Sequence, residues 1–137
     1  MYGNNRPVSD HDINNHLRND TARSNRIVEK LKEEGRLNAR IGVVKPIQFR
    51  KIASIHDYAR KRLHDHGISE DDAQKFIDNA LVMLHQVGRS DDRDLYVSED
   101  GSSVLLSESG DLINAFPPDE NMKELIRRLK EDENQNK

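Results

Sequence analysis

The spacing of the apolar residues changes along the chain, and this change limits what the chain can fold into. Between residues 51 and 86, apolar residues recur every three or four positions, which is the spacing of helices that bury one face. Between residues 95 and 116 they alternate with polar residues, which is the spacing of strands. Two turn sequences interrupt the alternation, and each contains a glycine, Gly101 or Gly110. Two hairpins in series predict a three-stranded antiparallel meander.

The elements around this meander predict the α+β fold class. Pro117-Pro118 prevents further strand pairing, and Asp119 is a suitable cap for a closing helix. The predicted order is N-terminal helices, then a small antiparallel meander sheet packed against helices, then a closing C-terminal helix. We predict an N-terminal helical arm at residues 1–38, an α+β domain at residues 39–132 and a disordered tail at residues 133–137.

The N-terminal arm is predicted to contain two weakly apolar helices. The first carries Ile13 and Leu17, and the second lies within residues 20–35. The apolar stripe of the second helix consists of Ile27, Val28 and Leu31. Because each helix has so few apolar residues, both are expected to pack only lightly on the domain.

Three further elements are predicted between the arm and the meander. A short strand lies within residues 39–44 and is ended by the proline that follows. A helix then continues through residues 51–66 and is capped by Gly67 in a left-handed conformation. A second helix begins after Ser69, and its apolar stripe predicts that it continues to about Gln86. The members of that stripe are Ala73, Phe76, Ile77, Ala80, Leu81 and Leu84.

The composition excludes several classes of protein. Charged and hydrophobic residues each make up 34% of the chain, so the core is expected to be small and aliphatic. There is no cysteine, which excludes disulfides and thiolate metal sites. No apolar run is long enough for a membrane span, and no secretory signal pattern is present. We therefore expect a cytoplasmic chain of bacterial or phage origin with no membrane contact.

The charges are unevenly distributed. The net charge is −3, which argues against a protein that coats nucleic acid non-specifically. Residues 36–66 nevertheless contain eight Lys or Arg against two Asp, and residues 90–111 contain seven acidic residues against one Arg. The basic block is suited to a polyanion, but the two blocks could equally neutralise each other.

Two histidines and an arginine form a stripe on the predicted helix that begins near residue 51. His56, Arg60 and His64 follow one another at steps of four, beside the apolar stripe. Histidine titrates near neutrality and arginine stays charged, so this combination suits proton transfer next to an anion. The alternative is that these are solvated residues of an ordinary amphipathic helix.

Polar residues on the predicted strands could complete such a site. Metal-free RNA cleavage needs a base for the 2′-hydroxyl, an acid for the leaving 5′-oxygen and donors for the phosphate charge. Ser98 and Asn114 stand on these strands, and Tyr96 could stack a base. Each could instead be an ordinary solvent-facing strand residue. No nucleotide-binding or zinc-protease motif is present, and we expect neither a cofactor nor a metal ion.

The stretch from Ile55 to Leu129 resembles a known group of nuclease domains. It combines a histidine-bearing helix with the segments Gly-Ile-Ser-Glu-Asp-Asp-Ala-Gln-Lys-Phe-Ile-Asp-Asn-Ala, Leu-Tyr-Val-Ser-Glu-Asp-Gly and Leu-Ile-Asn-Ala-Phe. This order is similar to the barnase/EndoU/colicin/RelE-like nuclease domains of polymorphic toxins and phage head-morphogenesis proteins. The resemblance covers a little over half of the chain, and the first 50 residues have no counterpart.

The resemblance implies a set of functional residues. In that group, a helix histidine, helix arginines and a polar residue on the last strand serve the active site. Carried over by position, these are His56, Arg60 and Asn114, with Ser98 nearby. Asn114 stands where related sequences often have threonine after a basic residue.

Two hypotheses of different classes follow. The first is a metal-independent endoribonuclease module of toxin type, with RNA bound across the basic helix and the sheet. Its catalytic residues would be His56, Arg60, His64 and Asn114, and its substrate-binding residues Lys51, Arg62, Tyr96 and Ser98. The second is a non-catalytic interaction module, an accessory or inhibitor protein of a phage or bacterium. It would bind an immunity protein or another partner through the acidic segment 91–111. A transcription regulator is a weaker third hypothesis, because no recognition-helix pattern supports it.

Overall fold

The structure is a computed structural model that describes residues 20–135. Four helices are described in this part of the chain: α1 (Thr21–Glu33), α2 (Asp57–His66), α3 (Glu70–Asp78) and α4 (Glu120–Gln135). The strands are β1 (Val43–Lys45), β2 (Ala80–Gln86), β3 (Arg93–Ser98), β4 (Ser103–Ser107) and β5 (Leu112–Phe116). The predicted α+β class is confirmed. Among the described residues, no helix combines the length and the apolar character that a membrane crossing requires.

The strands form one antiparallel sheet in the order β1-β2-β3-β4-β5. The predicted meander corresponds to β3, β4 and β5. Neighbouring residues of the central strands point to opposite faces, so Leu84 and Leu95 belong to one apolar cluster while Met83 and Tyr96 belong to the other. Helices α1 and α4 cover the first face, and α2 and α3 cover the second. The sheet is therefore the middle layer of three.

The prediction of one long helix from residue 69 to residue 86 is wrong. Helix α3 ends at Asp78, Asn79 caps it, and β2 begins at Ala80. The five residues from Ala80 to Leu84 are all buried, because β2 lies between β1 and β3 and has a helical layer on each face. A strand covered on both faces has a continuous apolar run, which the spacing alone does not distinguish from part of a helix.

The segment before α2 is also not helical. Residues 46–56, which we call the strap, contain no regular element, and Ser54 forms an isolated parallel bridge with Asp111. Gln74 of α3 satisfies the strap backbone, since its Oε1 accepts from Ile52 N at 2.8 Å and its Nε2 donates to Arg50 O at 3.0 Å. The helix begins at Asp57, and Gly67 ends it with φ +68°, as predicted.

The expectation that the second N-terminal helix packs lightly is wrong. Val28 and Leu31 of α1 are fully buried in the cluster that also contains α4 and the sheet. Arg128 of α4 donates to both carboxylate oxygens of Glu34, at 2.7 and 2.8 Å. The helix expected around Ile13 and Leu17 lies outside the described residues. At the other end, α4 extends to Gln135 and so includes residues assigned to the tail.

Helix α1 also covers the free edge of the sheet. β1 is an edge strand, and the side chain of Asn25 satisfies both backbone groups of Val44. Its Nδ2 donates to Val44 O at 3.1 Å, and its Oδ1 accepts from Val44 N at 2.7 Å. Edge strands with unpaired backbone groups can pair with other chains, so this contact blocks the edge as well as fixing α1.

Replacing Asn25 with alanine should lower the free energy of unfolding by about 1–3 kcal/mol, because two backbone groups lose their partner. Denaturant unfolding of Asn25→Ala beside Arg26→Ala measures this loss. Arg26 is exposed on the same helix, so its replacement should change stability by no more than about 0.5 kcal/mol. Equal stability of the two variants would contradict the proposed role of Asn25.

Candidate functional site

The three residues of the predicted His-Arg-His stripe do not form a site in the structure. His56 lies before the helix, as the N-cap residue, and its Nε2 is 3.4 Å from Ser54 Oγ. Arg60 faces α3, where its Nε donates to Glu70 at 3.0 Å. His64 is exposed. The stripe therefore lies on the side of α2 that faces α3 and solvent, not on the side that faces the sheet edge.

Asn114 is separated from that stripe by the sheet. It pairs with Leu105, which packs on the α1–α4 side, whereas its neighbour Ala115 belongs to the cluster on the α2–α3 side. Directly paired residues share a face, so Asn114 faces away from α2. Its Oδ1 accepts from Ala115 N at 2.8 Å. The predicted convergence of His56, Arg60 and Asn114 does not occur.

The structure places Tyr96 and Ser98 in internal positions. Tyr96 is completely buried, and its hydroxyl donates to Gln48 O at 2.7 Å, so the prediction that it stacks a base is wrong. Ser98 is 7% exposed, and its hydroxyl lies 3.0 Å from both Asp100 Oδ1 and Ser102 O within the β3–β4 turn. Both residues stabilise the fold rather than presenting a polar group to a substrate.

A different stripe of α2 meets the open edge of the sheet. Tyr58, Arg62 and His66 are four residues apart, and we call these three residues the edge site. Arg62 Nη1 donates to Ile113 O at 3.2 Å, while its Nη2 lies 2.7 Å from the Tyr58 hydroxyl. The Arg62 guanidinium carbon is 4.1 Å from the centre of the Tyr58 ring. Arg62 was predicted to bind substrate, but Tyr58 and His66 were not among the predicted site residues.

The contact of His66 with β5 decides how its ring can act. Nδ1 lies 2.6 Å from Ala115 O. A carbonyl oxygen only accepts hydrogen bonds, so Nδ1 must carry a proton, and in the neutral ring Nε2 has the free lone pair. The ring also lies 5.8 Å from the ring of Phe116, centre to centre. His66 is thus an exposed residue whose tautomer and position are fixed by β5.

An apolar groove adjoins the edge site. Its volume is about 410 Å³, and Phe116 belongs both to its wall and to the surroundings of His66. The remaining lining residues are Ile41, Gln86, Leu95, Ser103, Leu105, Pro117, Pro118, Asp119 and Met122. Asn114 shares a sheet face with Leu105, so it lies on the same side of the sheet as the groove. The two sides of β5 therefore present different surfaces.

A second cluster of ionisable groups lies at the other end of the sheet, where the strap crosses β2 and β3. Arg50 Nη2 donates to Asp94 Oδ2 at 2.9 Å, and Arg50 Nε donates to the Tyr96 hydroxyl at 3.1 Å. His85 Nδ1 is 2.8 Å from Asp94 Oδ1, and Nε2 is 3.1 Å from Asp92 Oδ2. Both nitrogens of His85 are engaged, so this histidine is not available as a base. Part of the basic block and part of the acidic block thus neutralise each other.

Neither region has the ligands of a metal centre. Within residues 20–135, no group of three His, Asp or Glu side chains is arranged to hold a metal ion. Another cavity, of about 650 Å³, lies between α3 and the β3–β4 turn. Its charged lining residues are Asp72, Lys75, Glu99 and Asp100. It contains no histidine.

Comparison of the chain with protein-family models, with curated proteins and with solved structures finds no match. The resemblance to the toxin and phage nuclease domains therefore stays a prediction.

Proposed function

We propose that the protein is a metal-independent endoribonuclease whose active site is the edge site of Tyr58, Arg62 and His66. The observation that carries the proposal is the contact of His66 Nδ1 with Ala115 O, which in the neutral ring leaves the lone pair on Nε2. A base in that form, beside a guanidinium and a phenol, is what the first step of metal-free RNA cleavage requires. The resemblance noted in the sequence supports the same reaction class.

Each residue has a role in the proposed reaction. His66 Nε2 takes the proton of the 2′-hydroxyl, and the 2′-oxygen attacks phosphorus. The bond to the 5′-oxygen breaks, and that oxygen takes a proton from the Tyr58 hydroxyl. Arg62 can hold the phosphate, since it stays charged and presents several N–H groups. Because Arg62 Nη2 donates to the Tyr58 oxygen at 2.7 Å, the Tyr58 O–H is free to donate elsewhere.

The apolar groove beside Phe116 is the proposed place for an unpaired base. The Phe116 ring is part of the groove wall and also lies beside His66. One RNA strand can therefore place a base in the groove and the adjoining phosphate at the edge site. Stacking on an aromatic ring accepts any base, and Asn114 and Ser103 lie on the same side of the sheet. Lys51 of the strap and Lys61 of α2 are exposed cations, and we expect them to attract the RNA backbone.

Replacing His66 with alanine should reduce RNA cleavage in EDTA by about 10²–10⁴-fold, the usual contribution of a general base. The assay follows a labelled single-stranded RNA and identifies 2′,3′-cyclic phosphate ends. His64→Ala is the matched control, since His64 is exposed on the same helix, and it should keep activity within about twofold. His56→Ala tests the assignment made from the sequence.

The cleavage assays distinguish His66 from His56 as the general base. Loss of cleavage in His56→Ala with full activity in His66→Ala would move the active site to the end of the strap. Activity only after addition of a divalent metal ion would reject the mechanism. No cleavage by the wild-type protein, with RNA binding also absent, would reject the function.

The alternative, a non-catalytic interaction module that binds a partner through residues 91–111, stays a prediction. Asp92 and Asp94 contact His85, and Asp111 accepts a hydrogen bond from Ser54 at 2.5 Å. Charge reversal at Asp92 or Asp94 would therefore disturb internal contacts. Glu108, whose side chain is exposed at the β4–β5 turn, is the better position for testing a partner through this segment.

A further inference from the structure

The loop between β2 and β3, residues 87–92, is attached to the sheet through His85. The His85 ring lies between two carboxylates, with Nδ1 2.8 Å from Asp94 and Nε2 3.1 Å from Asp92. Ionised carboxylates only accept hydrogen bonds, so both contacts exist together only when both ring nitrogens carry protons. The arrangement described by the structure is therefore that of the charged imidazolium.

Loss of one proton affects the two contacts unequally. A neutral imidazole has one N–H, and it can stay on only one side. The Asp94 side is favoured, because that contact is shorter and because Arg50 also holds the Asp94 carboxylate at 2.9 Å. Nε2 would then turn a lone pair toward the Asp92 carboxylate, and two acceptors repel each other.

Asp92 in turn closes the loop. Its Oδ1 accepts a hydrogen bond from Gly88 N at 3.3 Å, so one carboxylate joins His85 to the start of the loop. The backbone is tightly folded at this point: a Cβ atom on Gly88 would lie 2.2 Å from Asp91 O. Val87, the residue before the glycine, is 81% exposed. Few apolar contacts thus hold the loop, and the Asp92 carboxylate links it to the His85 ring.

We propose that residues 87–92 form a pH-sensitive element, in which deprotonation of His85 releases Asp92 and opens the loop. The released state presents the Asp92 carboxylate to solvent or to a cationic partner, whereas the protonated state keeps it bound. This inference does not depend on the proposed ribonuclease activity, since the edge site is formed by other elements.

The groups around His85 determine the direction in which its pKa is shifted. Besides Asp92 and Asp94, the cleft at this ring, about 410 Å³, is lined by Lys45 of β1, Arg50 of the strap and Glu108 of the β4–β5 turn. The hydrogen bond to Asp94 raises the pKa of His85 above its ordinary value, burial opposes this, and Asp92 adds to the increase. Protonated His85 therefore stabilises the folded state fully below about pH 6.5, the ordinary pKa of histidine. This stabilisation is lost as the pH rises through the higher pKa of His85 in the folded state.

The test is an NMR titration of the full chain between about pH 5.5 and pH 9, bracketing the ordinary histidine pKa. The His85 ring and the Gly88 amide should titrate with the same midpoint, and the heteronuclear NOE of residues 88–91 should fall above it. His85→Gln should abolish the titration of the Gly88 amide, since glutamine has no charged form. Asp92→Ala should abolish the titration of Gly88 while the His85 midpoint stays above about 6.5 because of Asp94. Asp91→Ala, one position away, is the control and should titrate as the wild type does.

Two results would overturn the proposal. One is a Gly88 amide that does not move while the His85 ring titrates. The other is a Gly88 titration that persists in His85→Gln, because the proton would then be on another group, or in Asp92→Ala, because the effect would then not pass through that carboxylate.

Discussion

Replacing Leu31 with alanine should lower the free energy of unfolding by about 2–5 kcal/mol, the usual cost of removing a fully buried leucine side chain. Leu31 has no exposed surface, and it shares a cluster with Val82 and Leu84 of the sheet and with Leu125 of α4. The cavity left by the substitution would lie where α1, α4 and the sheet meet. A loss of this size requires α1 to be part of the core.

The measurement is urea unfolding followed by circular dichroism, with the slope of the transition compared between variants. Lys30→Ala is the matched control, because Lys30 is exposed one position away on the same helix, and it should change stability by at most about 0.5 kcal/mol. If residues 20–38 were only a loosely attached arm, Leu31→Ala would behave like this control. Such a result would contradict the packing of α1 described above.

The sequence predicts correctly the helices and strands whose ends are determined by local residues. The meander was predictable because Gly101 and Gly110 mark its turns and Pro117 ends it, and the end of α2 was predictable because Gly67 takes a left-handed conformation. Strand β2 was missed because its apolar residues continue the helical stripe of α3. Five consecutive apolar residues after Asn79 were the available signal, and they are typical of a strand covered on both faces.

The strap was misassigned for a related reason. Ile52 and Ile55 are spaced from Ala59 as in a helix, but they reach the same apolar cluster from a segment with no regular structure. The spacing of apolar residues indicates which residues are buried together. It does not show that all of them belong to one helix. The side chain of Gln74, which satisfies the strap backbone, comes from a distant part of the chain and leaves no local pattern.

The sequence alone does not decide which of the two polar stripes of α2 forms the candidate site. Polar stripes flank the buried residues Ala59 and Leu63 of α2 on both sides: Arg60 and His64 on one, and Tyr58, Arg62 and His66 on the other. Local spacing predicts both stripes equally well. Only the packing of α2 against β5 decides that the second stripe meets the sheet edge while the first faces α3 and solvent.

Arg50 joins the strap to β3 and to the β4–β5 turn, and its replacement with methionine should be the most damaging change to a charged residue. Its guanidinium donates to Asp94, to the Tyr96 hydroxyl and to Glu108 O, at 2.9, 3.1 and 2.9 Å. The side chains of Arg50 and Asp94 are only 23% and 14% exposed, so water replaces these contacts incompletely. The expected loss of stability is about 2–4 kcal/mol, below the full cost of breaking a buried ion pair.

Methionine keeps much of the volume of the arginine stem, so the loss reports the polar contacts more than a cavity. Thermal or urea unfolding of Arg50→Met is compared with Lys51→Met, in which an exposed cation next in the chain is replaced and the change should stay within about 0.5 kcal/mol. Removing the cation next to Asp94 leaves His85 as the main partner of that carboxylate, so the pKa of His85 should rise further in Arg50→Met. Equal stability of the two variants, together with an unchanged His85 titration, would show that Arg50 does not anchor the strap. If Arg50→Met had normal stability but a shifted His85 titration, the two roles of Arg50 would be separate. The ion pair with Asp94 would then influence the pKa of His85 without anchoring the strap.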